Sequence, residues 1–169
     1  MTSNNPDAPM PAPASNGPIF IALGANIPSS AGPPAKTLRA ALAALAGAGV
    51  PIEAVSPFYE TKAWPDPTNP PFLNAVASIR SPLQPFALLT LLHELETAFG
   101  RKRSVPNAPR SLDLDLLDFA GLVDDGPVRL PHPRMAERRF VLEPLQAIAP
   151  GWRHPVSGCT VEELLRALS

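Results

Sequence analysis

The chain has 169 residues, of which 45% are hydrophobic and 17% are charged, and its formal net charge at pH 7 is −1. This length predicts one domain that is large enough to bury a hydrophobic core. The small net charge argues against wholesale binding to nucleic acid or to an anionic membrane, and no stretch is long and apolar enough to span a bilayer.

The N-terminal segment differs from the rest of the chain. Residues 1–18 contain no Lys or Arg and no apolar run, and they are rich in Pro, Ala, Asn and Ser. They lack the basic start and hydrophobic stretch of a secretory signal, so we expect a disordered tail over 1–18 and a single domain over 19–169. The one cysteine, Cys159, has no partner for an internal disulfide. A reducing, cytoplasmic location is therefore expected.

The first part of the expected domain predicts a strand, a helix and a second strand. Residues 19–23 form a short apolar run closed by Gly24, which is typical of a buried strand. Residues 36–46 are rich in Ala and Leu, with leucines at helical spacing, and predict a helix. Residues 52–61 predict the next strand, and the prolines of residues 62–71 predict an irregular loop.

The middle of the chain predicts two more strands around a second helix. Residues 72–79 alternate well enough for a strand. A helix is expected from Pro85, which suits a first helical turn, to Phe99, because apolar residues recur at spacings of three and four. After a loop over residues 101–109, a leucine-rich strand runs to Phe119.

The remaining sequence predicts mainly helices. Residues 128–130 predict a short strand, and residues 138–148 predict a helix that is interrupted near Pro144. Thr160 offers a capping hydroxyl to a final helix. The order β-α-β-β-α-β, followed by further helices, predicts an α+β sandwich with helices on one face of an antiparallel sheet.

Two carboxylates stand two residues apart in the strand that ends at Phe119. Asp113 and Asp115 should point to the same face, because residues i and i+2 of a strand share a face. The alternate leucines would then point into a core. Neighbouring carboxylates repel each other and resist burial unless a cation lies between them. Mg²⁺ is the expected cation, since it binds through one or two carboxylates together with substrate phosphates.

Basic residues are concentrated around this aspartate pair. Between residues 100 and 140 lie 8 of the 14 Lys and Arg residues of the chain, including Arg101 and Arg110. Cations that bind phosphate beside carboxylates that bind metal indicate phosphoryl transfer from a nucleotide. The simpler alternative is a half-solvated strand with a polar outer face, flanked by ordinary surface charges.

Several separated segments, read together, resemble the 6-hydroxymethyl-7,8-dihydropterin pyrophosphokinase family. They occur in the order and at the spacing of that family, and they cover the chain from about residue 19 to its C-terminus. The segments are residues 23–26, 56–61, 70–76, Glu96 with 100–103, 107–117, 130–134 and 137–145.

The resemblance implies a ferredoxin-like fold and a defined reaction. The expected activity transfers the diphosphate of ATP to 6-hydroxymethyl-7,8-dihydropterin, giving AMP and the pterin diphosphate, in folate biosynthesis. ATP is then a co-substrate, and Asp113 and Asp115 hold two Mg²⁺ ions. A monomer without nucleic-acid or membrane partners is the expected form.

The resemblance also implies which residues contact ATP. Arg101, Arg110, Asp113 and Asp115 are the expected catalytic residues. The matched ATP-binding positions are Glu96, Arg101, Arg110, His132 and Arg138. Guanidinium groups suit this role because they bind phosphate oxygens bidentately.

The pterin is expected to lie in a flat slot with polar groups at its edge. Phe72 and Phe140 match the two stacking positions of the family. Asn74 can offer a donor and an acceptor to the pterin amide edge, and the backbone near Thr61 should meet the same edge. Without the resemblance, both phenylalanines would be read as core residues.

Two other functions remain open at this point. One is a different Mg²⁺-dependent nucleotide transferase or phosphohydrolase that uses the same aspartate pair. The other is a non-enzymatic nucleic-acid-binding module, which needs exposed aromatic residues and a basic face on the sheet. Asp113 and Asp115 argue against the module, because without metal they would repel a phosphate backbone.

Overall fold

The computed structural model describes residues 17–63, 65–101 and 109–169. Residues 1–16 of the expected tail, and Lys102 and Arg103 of the basic loop, lie outside the described residues. The strands are β1 (Ile19–Ala25), β2 (Ile52–Val55), β3 (Tyr59–Thr61), β4 (Phe72–Ile79) and β5 (Asp113–Phe119). The helices are α1 (Pro34–Gly47), α2 (Pro85–Ala98), α3 (Arg139–Ile148) and α4 (Val161–Ala167), with a short 3₁₀ turn at Met135–Glu137.

Most predicted elements are present, and three differ in detail. The strand expected over residues 52–61 is divided into β2 and β3, with Pro57, which has no backbone N–H, between them. α3 continues through Pro144, because one missing hydrogen bond is outweighed by the packing of its buried residues. Residues 128–130 contribute an isolated bridge between Leu130 and Asp124 rather than a strand.

The strands form one antiparallel sheet. Among the described residues, five strands pair in the order β2-β4-β1-β5, and β3 also pairs with β4. This order is that of a ferredoxin-like sheet, in which the first strand lies at the centre. The predicted α+β sandwich is therefore confirmed. In the described part of the chain, no helix combines the length and apolar character needed to cross a membrane.

Helices cover both faces of the sheet. On the first face, alternate residues of β1 and β5 pack with leucines of α1 and α2. On the second face, Phe20, Val76 and Leu117 pack with buried residues of α3 and α4. The prediction of helices on one face thus describes α1 and α2, whereas the C-terminal helices form a further layer on the opposite face.

A β-bulge in β5 determines which part of this second face is covered by the C-terminal helices and which part borders a cavity. Phe20 lies opposite Asp118 and Ile21 opposite Leu116, which leaves Leu117 as an extra residue on β5. Leu117 packs among the residues below α3, and buried Asp118 accepts a hydrogen bond from Trp152 Nε1 at 2.8 Å. The C-terminal layer is thereby anchored at one end of the face. The other end, where Asp113 and Asp115 lie, borders a cavity.

Candidate active site

A cavity of about 310 Å³ opens on the second face of the sheet. This volume is within the range of small-molecule sites. Its floor is formed by β1, where Ala22 and Gly24 contribute almost no side chain. The cavity is lined by Ala22, Leu23, Gly24, Thr61, Lys62, Phe72, Asn74, Ala75, Arg110, Asp113, Asp115, Arg134, Arg138 and Phe140.

Strand register places polar groups on both sides of Gly24. On one side Gly24 lies opposite Asn74 of β4, and on the other it lies opposite Asp113 of β5. A Cβ atom at position 24 would lie 3.2 Å from Asn74 Oδ1. Any larger residue would therefore press on Asn74 and narrow the cavity, and this close approach explains the glycine. The sequence analysis had placed Gly24 after the strand, but it lies within β1.

The carboxylates of Asp113 and Asp115 face the cavity, as their spacing predicted, while Leu112, Leu114 and Leu116 are buried in the core. Asp113 Oδ1 accepts a hydrogen bond from Arg101 Nη1 at 2.9 Å. Its Oδ2 accepts one from Arg110 Nη1, also at 2.9 Å. Asp115 Oδ2 lies 3.7 Å from Arg138 Nη1. Each carboxylate is thus compensated by a guanidinium group.

The two aspartates differ in environment. Burial raises the pKa of Asp115 to about 6, and the neighbouring charge of Asp113 adds to the rise. A bound cation would favour the ionised form and remove this penalty. The described residues contain no cluster of three or more His, Cys, Asp or Glu side chains that could hold a metal. A pair of carboxylates facing an open cavity suits Mg²⁺, which takes its other ligands from water and phosphate.

Glu96 lies behind the cavity rather than in its wall. Its side chain is 3% exposed, between α2 and β5. Oε2 accepts a hydrogen bond from the backbone N–H of Leu114 at 2.9 Å and forms an ion pair with Arg101 Nη1. Burial raises the pKa of Glu96 to about 7. Through Arg101, Glu96 is connected to Asp113.

His132 is held in a defined tautomer near the cavity. Its Nδ1 accepts a hydrogen bond from the backbone N–H of Arg134 at 3.1 Å, so the neutral ring carries its proton on Nε2. Burial lowers the pKa of His132 to about 4, and the positive charge of Arg138 lowers it further. Because of this low pKa and this tautomer, the ring is a neutral hydrogen-bond donor at neutral pH. His132 is not among the lining residues of the cavity, whereas Arg134 is.

Two phenylalanines and an amide form the other part of the cavity. Phe72 begins β4, and Phe140, in the first turn of α3, is 40% exposed. The Arg138 guanidinium carbon lies 5.6 Å from the centroid of the Phe140 ring, within the range of a cation–π contact. Asn74 is almost buried, and its Nδ2 donates to Thr61 Oγ1 at 2.7 Å. This hydrogen bond fixes the orientation of the amide at the cavity wall.

The structure brings most of the predicted site residues to one cavity. Thr61, Phe72, Asn74, Arg110, Asp113, Asp115, Arg138 and Phe140 all line it. Arg101 reaches Asp113 from outside the lining, and Glu96 and His132 lie further back. The sequence analysis did not assign Gly24 or Lys62 to the site. A glycine inside an apolar strand was a usable signal for Gly24, whereas Lys62 had no signal beyond its loop.

Comparisons with known proteins agree with this geometry. The family model described as 7,8-dihydro-6-hydroxymethylpterin-pyrophosphokinase matches residues 20–150. Three relatives carry the name 2-amino-4-hydroxy-6-hydroxymethyldihydropteridine pyrophosphokinase. The Synechocystis protein is 39% identical over 147 residues, which are 86% of this chain and 73% of that protein.

The other two relatives are also bacterial. The Bacillus subtilis protein is 41% identical over 131 residues, which are 76% of each chain. The Methylorubrum extorquens protein is 38% identical over 151 residues, which are 88% of this chain and 92% of that protein. Residues 20–150, which the family model matches, contain all the lining residues of the cavity and all of the sheet except Ile19. The chain therefore belongs to the 7,8-dihydro-6-hydroxymethylpterin-pyrophosphokinase family.

Proposed function

We propose that this chain transfers the diphosphate group of ATP to 6-hydroxymethyl-7,8-dihydropterin, giving AMP and the pterin diphosphate, as a step of folate biosynthesis. One observation carries the proposal within the family assignment. A single cavity holds an aromatic and amide wall on one side of Gly24 and a cluster of carboxylates and arginines on the other. The aromatic side suits a flat heterocycle and the charged side suits a polyphosphate, and the two substrates would lie next to each other.

The pterin is proposed to bind at the aromatic side. Phe72 and Phe140 would stack on the two faces of the ring, and the 40% exposure of Phe140 leaves its surface available for this contact. Asn74, oriented by Thr61, would pair with the amide edge of the pterin. Such an arrangement recognises shape by stacking and identity by hydrogen bonds.

ATP is proposed to bind at the charged side. Arg110 and Arg138 line the cavity and Arg101 borders it, so their guanidinium groups can exchange the aspartates for phosphate oxygens. His132 would donate its Nε2–H to a phosphate. Glu96, which is buried behind the cavity, is proposed to contribute to ATP binding through Arg101, with which it forms an ion pair.

Asp113 and Asp115 are proposed to hold two Mg²⁺ ions. Both carboxylates are hard oxygen donors on one face of β5, and both reach the cavity. When bound, the ions would neutralise the charge of the triphosphate and orient it. The protein's own contribution is to hold both carboxylates on one rigid strand, with the arginine side chains beside them.

The proposed reaction is a displacement at phosphorus. The hydroxymethyl oxygen of the pterin forms a bond to the β-phosphorus of ATP. The bond from that phosphorus to the oxygen bridging to the α-phosphorus breaks, AMP leaves with the bridging oxygen, and the hydroxyl proton is released. The side chains contribute by positioning both substrates and by stabilising charge. Neutral His132, with its lowered pKa, serves as a donor rather than as a base.

The test is AMP formation from ATP and Mg²⁺, measured with and without the hydroxymethyl-dihydropterin. We expect AMP to appear only when the pterin is present, with one pterin diphosphate formed per AMP. Nucleotide turnover that ignores the pterin would instead support another nucleotide transferase or a phosphohydrolase.

We also propose that residues 19–169 form one domain, that the chain is a monomer, and that it acts in the cytoplasm. Support for the single domain comes from the packing of α3 and α4 against the sheet, with Val161 buried beside Phe20 and Leu117. Sedimentation equilibrium of the purified chain tests the monomer.

A further inference from the structure

Asn26 lies directly after β1, the strand that forms the floor of the cavity. It belongs to the family segment 23–26 without a predicted role, and it does not line the cavity. The residue is 4% exposed. β1 is the central strand, with β4 on one side and β5 on the other. A side chain at its end can therefore reach the segments that lead into both neighbours.

The amide of Asn26 uses both of its polar atoms. Oδ1 accepts a hydrogen bond from the backbone N–H of Arg110 at 2.7 Å. Nδ2 donates to the carbonyl oxygen of Pro70 at 3.1 Å. The backbone N–H of Asn26 also donates to the carbonyl oxygen of Arg110 at 3.0 Å. Arg110 is therefore held by both of its backbone polar groups, and Pro70 by its carbonyl.

The two segments held by Asn26 present opposite sides of the proposed site. Arg110 lines the cavity, and its guanidinium binds Asp113 Oδ2 at 2.9 Å. Pro70 precedes Pro71, which has no backbone N–H, and then Phe72, which lines the aromatic side. Because Pro71 can donate no backbone hydrogen bond, the Pro70 carbonyl is a valuable anchor for the entry into β4.

We propose that Asn26 is a positioning residue that sets the spacing between the phosphate-binding and pterin-binding sides of the site. One amide fixes the main chain of Arg110 and the approach to Phe72 relative to each other. This inference rests on the proposed function. A displacement near 1 Å between reacting groups can lower turnover by about 100-fold. The Asn26 amide would therefore affect kcat indirectly, through the positions of Arg110 and Phe72.

A residue that only stabilises the fold would behave differently from a positioning residue. Loss of its hydrogen bonds would lower the melting temperature, and its effect on kcat would be independent of Arg110. A positioning residue loses its effect on kcat when the side chain that it positions is removed. A double-mutant cycle on kcat separates these cases.

The experiment measures kcat in wild type, Asn26→Ala, Arg110→Ala and the double variant, from the initial rate of AMP formation with saturating ATP, Mg²⁺ and pterin. We expect Asn26→Ala to lower kcat by about 100-fold in the wild-type background. In the Arg110→Ala background we expect its effect to be smaller by about 10-fold or more. If Asn26→Ala does not fold, the nearly isosteric Asn26→Asp replaces it in the same cycle.

Asp118→Ala is the matched control. Asp118 is also 4% exposed and also bridges two segments, through Gly121 N–H at 2.9 Å and Trp152 Nε1 at 2.8 Å, but it lies outside the cavity lining. It should lower the melting temperature, and its effect on kcat should combine with Arg110→Ala additively, within about twofold. This control shows what loss of buried hydrogen bonds does by itself.

Asn26→Asp tests the pterin side separately. It keeps an acceptor for Arg110 N–H but places a second oxygen against the carbonyl of Pro70. Pterin affinity should fall several-fold, by an amount that shrinks when Phe72→Ala is also present. Additive effects of Asn26 with both Arg110 and Phe72 would overturn the inference. A wild-type chain that forms no pterin-dependent AMP would overturn the proposed function instead.

Discussion

Arg110 Nη1 lies 2.9 Å from Asp113 Oδ2, so a side chain proposed to bind phosphate is paired with one proposed to bind metal. Arg101 occupies the other oxygen of the same carboxylate, also at 2.9 Å. The two guanidinium groups thus place positive charge directly beside Asp113. If Asp113 binds metal as proposed, the arginines would be free to bind phosphate.

Arg110→Ala should lower kcat far more than it raises the KM for ATP. The reason is that the guanidinium is expected to bind phosphate most strongly as charge moves during transfer. Arg110→Lys should restore part of the rate, since an ammonium group cannot reproduce bidentate binding. Steady-state kinetics at saturating Mg²⁺ measures both parameters.

A melting curve of Arg110→Ala tests the competing role of this residue. The pair with Asp113 is partly exposed, so its loss should reduce the free energy of unfolding by about 1 kcal/mol or less. A large drop in melting temperature with kcat near wild type would mean that Arg110 serves mainly to hold β5.

Asp113→Ala and Asp115→Ala should each remove almost all turnover while the chain stays folded. Each variant would lose a proposed metal ligand on one face of a rigid strand. Removing Asp115 also relieves a carboxylate whose pKa is raised by burial and by Asp113, so the unliganded variant should melt no lower than wild type. Activity and circular dichroism are the measurements, and full turnover of either variant at saturating Mg²⁺ would contradict the metal assignment.

Phe140→Ala should weaken pterin binding more than ATP binding. A stacking partner contributes about 0.5–1.5 kcal/mol beyond the burial of its ring. Phe140 is 40% exposed, so its removal should leave the core intact. Titration calorimetry with each ligand measures the two affinities. Phe86→Ala is the control, because Phe86 is 66% exposed on α2 and does not line the cavity; equal losses for both ligands would argue against the stacking role.

His132→Asn should remove a contribution that destabilises the wild-type chain as the pH falls from about 6.5 to about 4, so the melting temperature of wild type minus that of the variant should decrease as the pH falls across this window. Burial lowers the pKa of His132 to about 4 from its ordinary value of 6.5. The unfolded chain therefore binds a proton in this window that the folded chain does not, and stability is lost as the pH falls from 6.5 towards 4. Asparagine cannot take up that proton. The difference in melting temperature between wild type and variant is the quantity to follow, because it cancels the opposite slopes of Glu96 and Asp115.

Features that depend on near neighbours in the chain could be predicted from the amino-acid sequence. The period of two along a strand placed Asp113 and Asp115 together, and Thr160 forms the expected cap, with its hydroxyl accepting from Glu163 N–H at 3.1 Å. β4 has the predicted bounds. These features follow from local backbone geometry, which a few adjacent residues decide. Eight of the residues that line the cavity were predicted from the family resemblance instead.

Which residues lie opposite each other across the sheet depends on the packing of segments that are distant in sequence. The pairing of β1 with β4 and β5 placed Asn74 and Asp113 on either side of Gly24. Helix packing buried Glu96 behind β5. Strand register and burial depend on side chains that are far apart in sequence. They therefore cannot be predicted from the spacing of residues along one strand or helix. For the same reason, the hydrogen bonds of Asn26 to Arg110 and Pro70 became visible only in the folded chain.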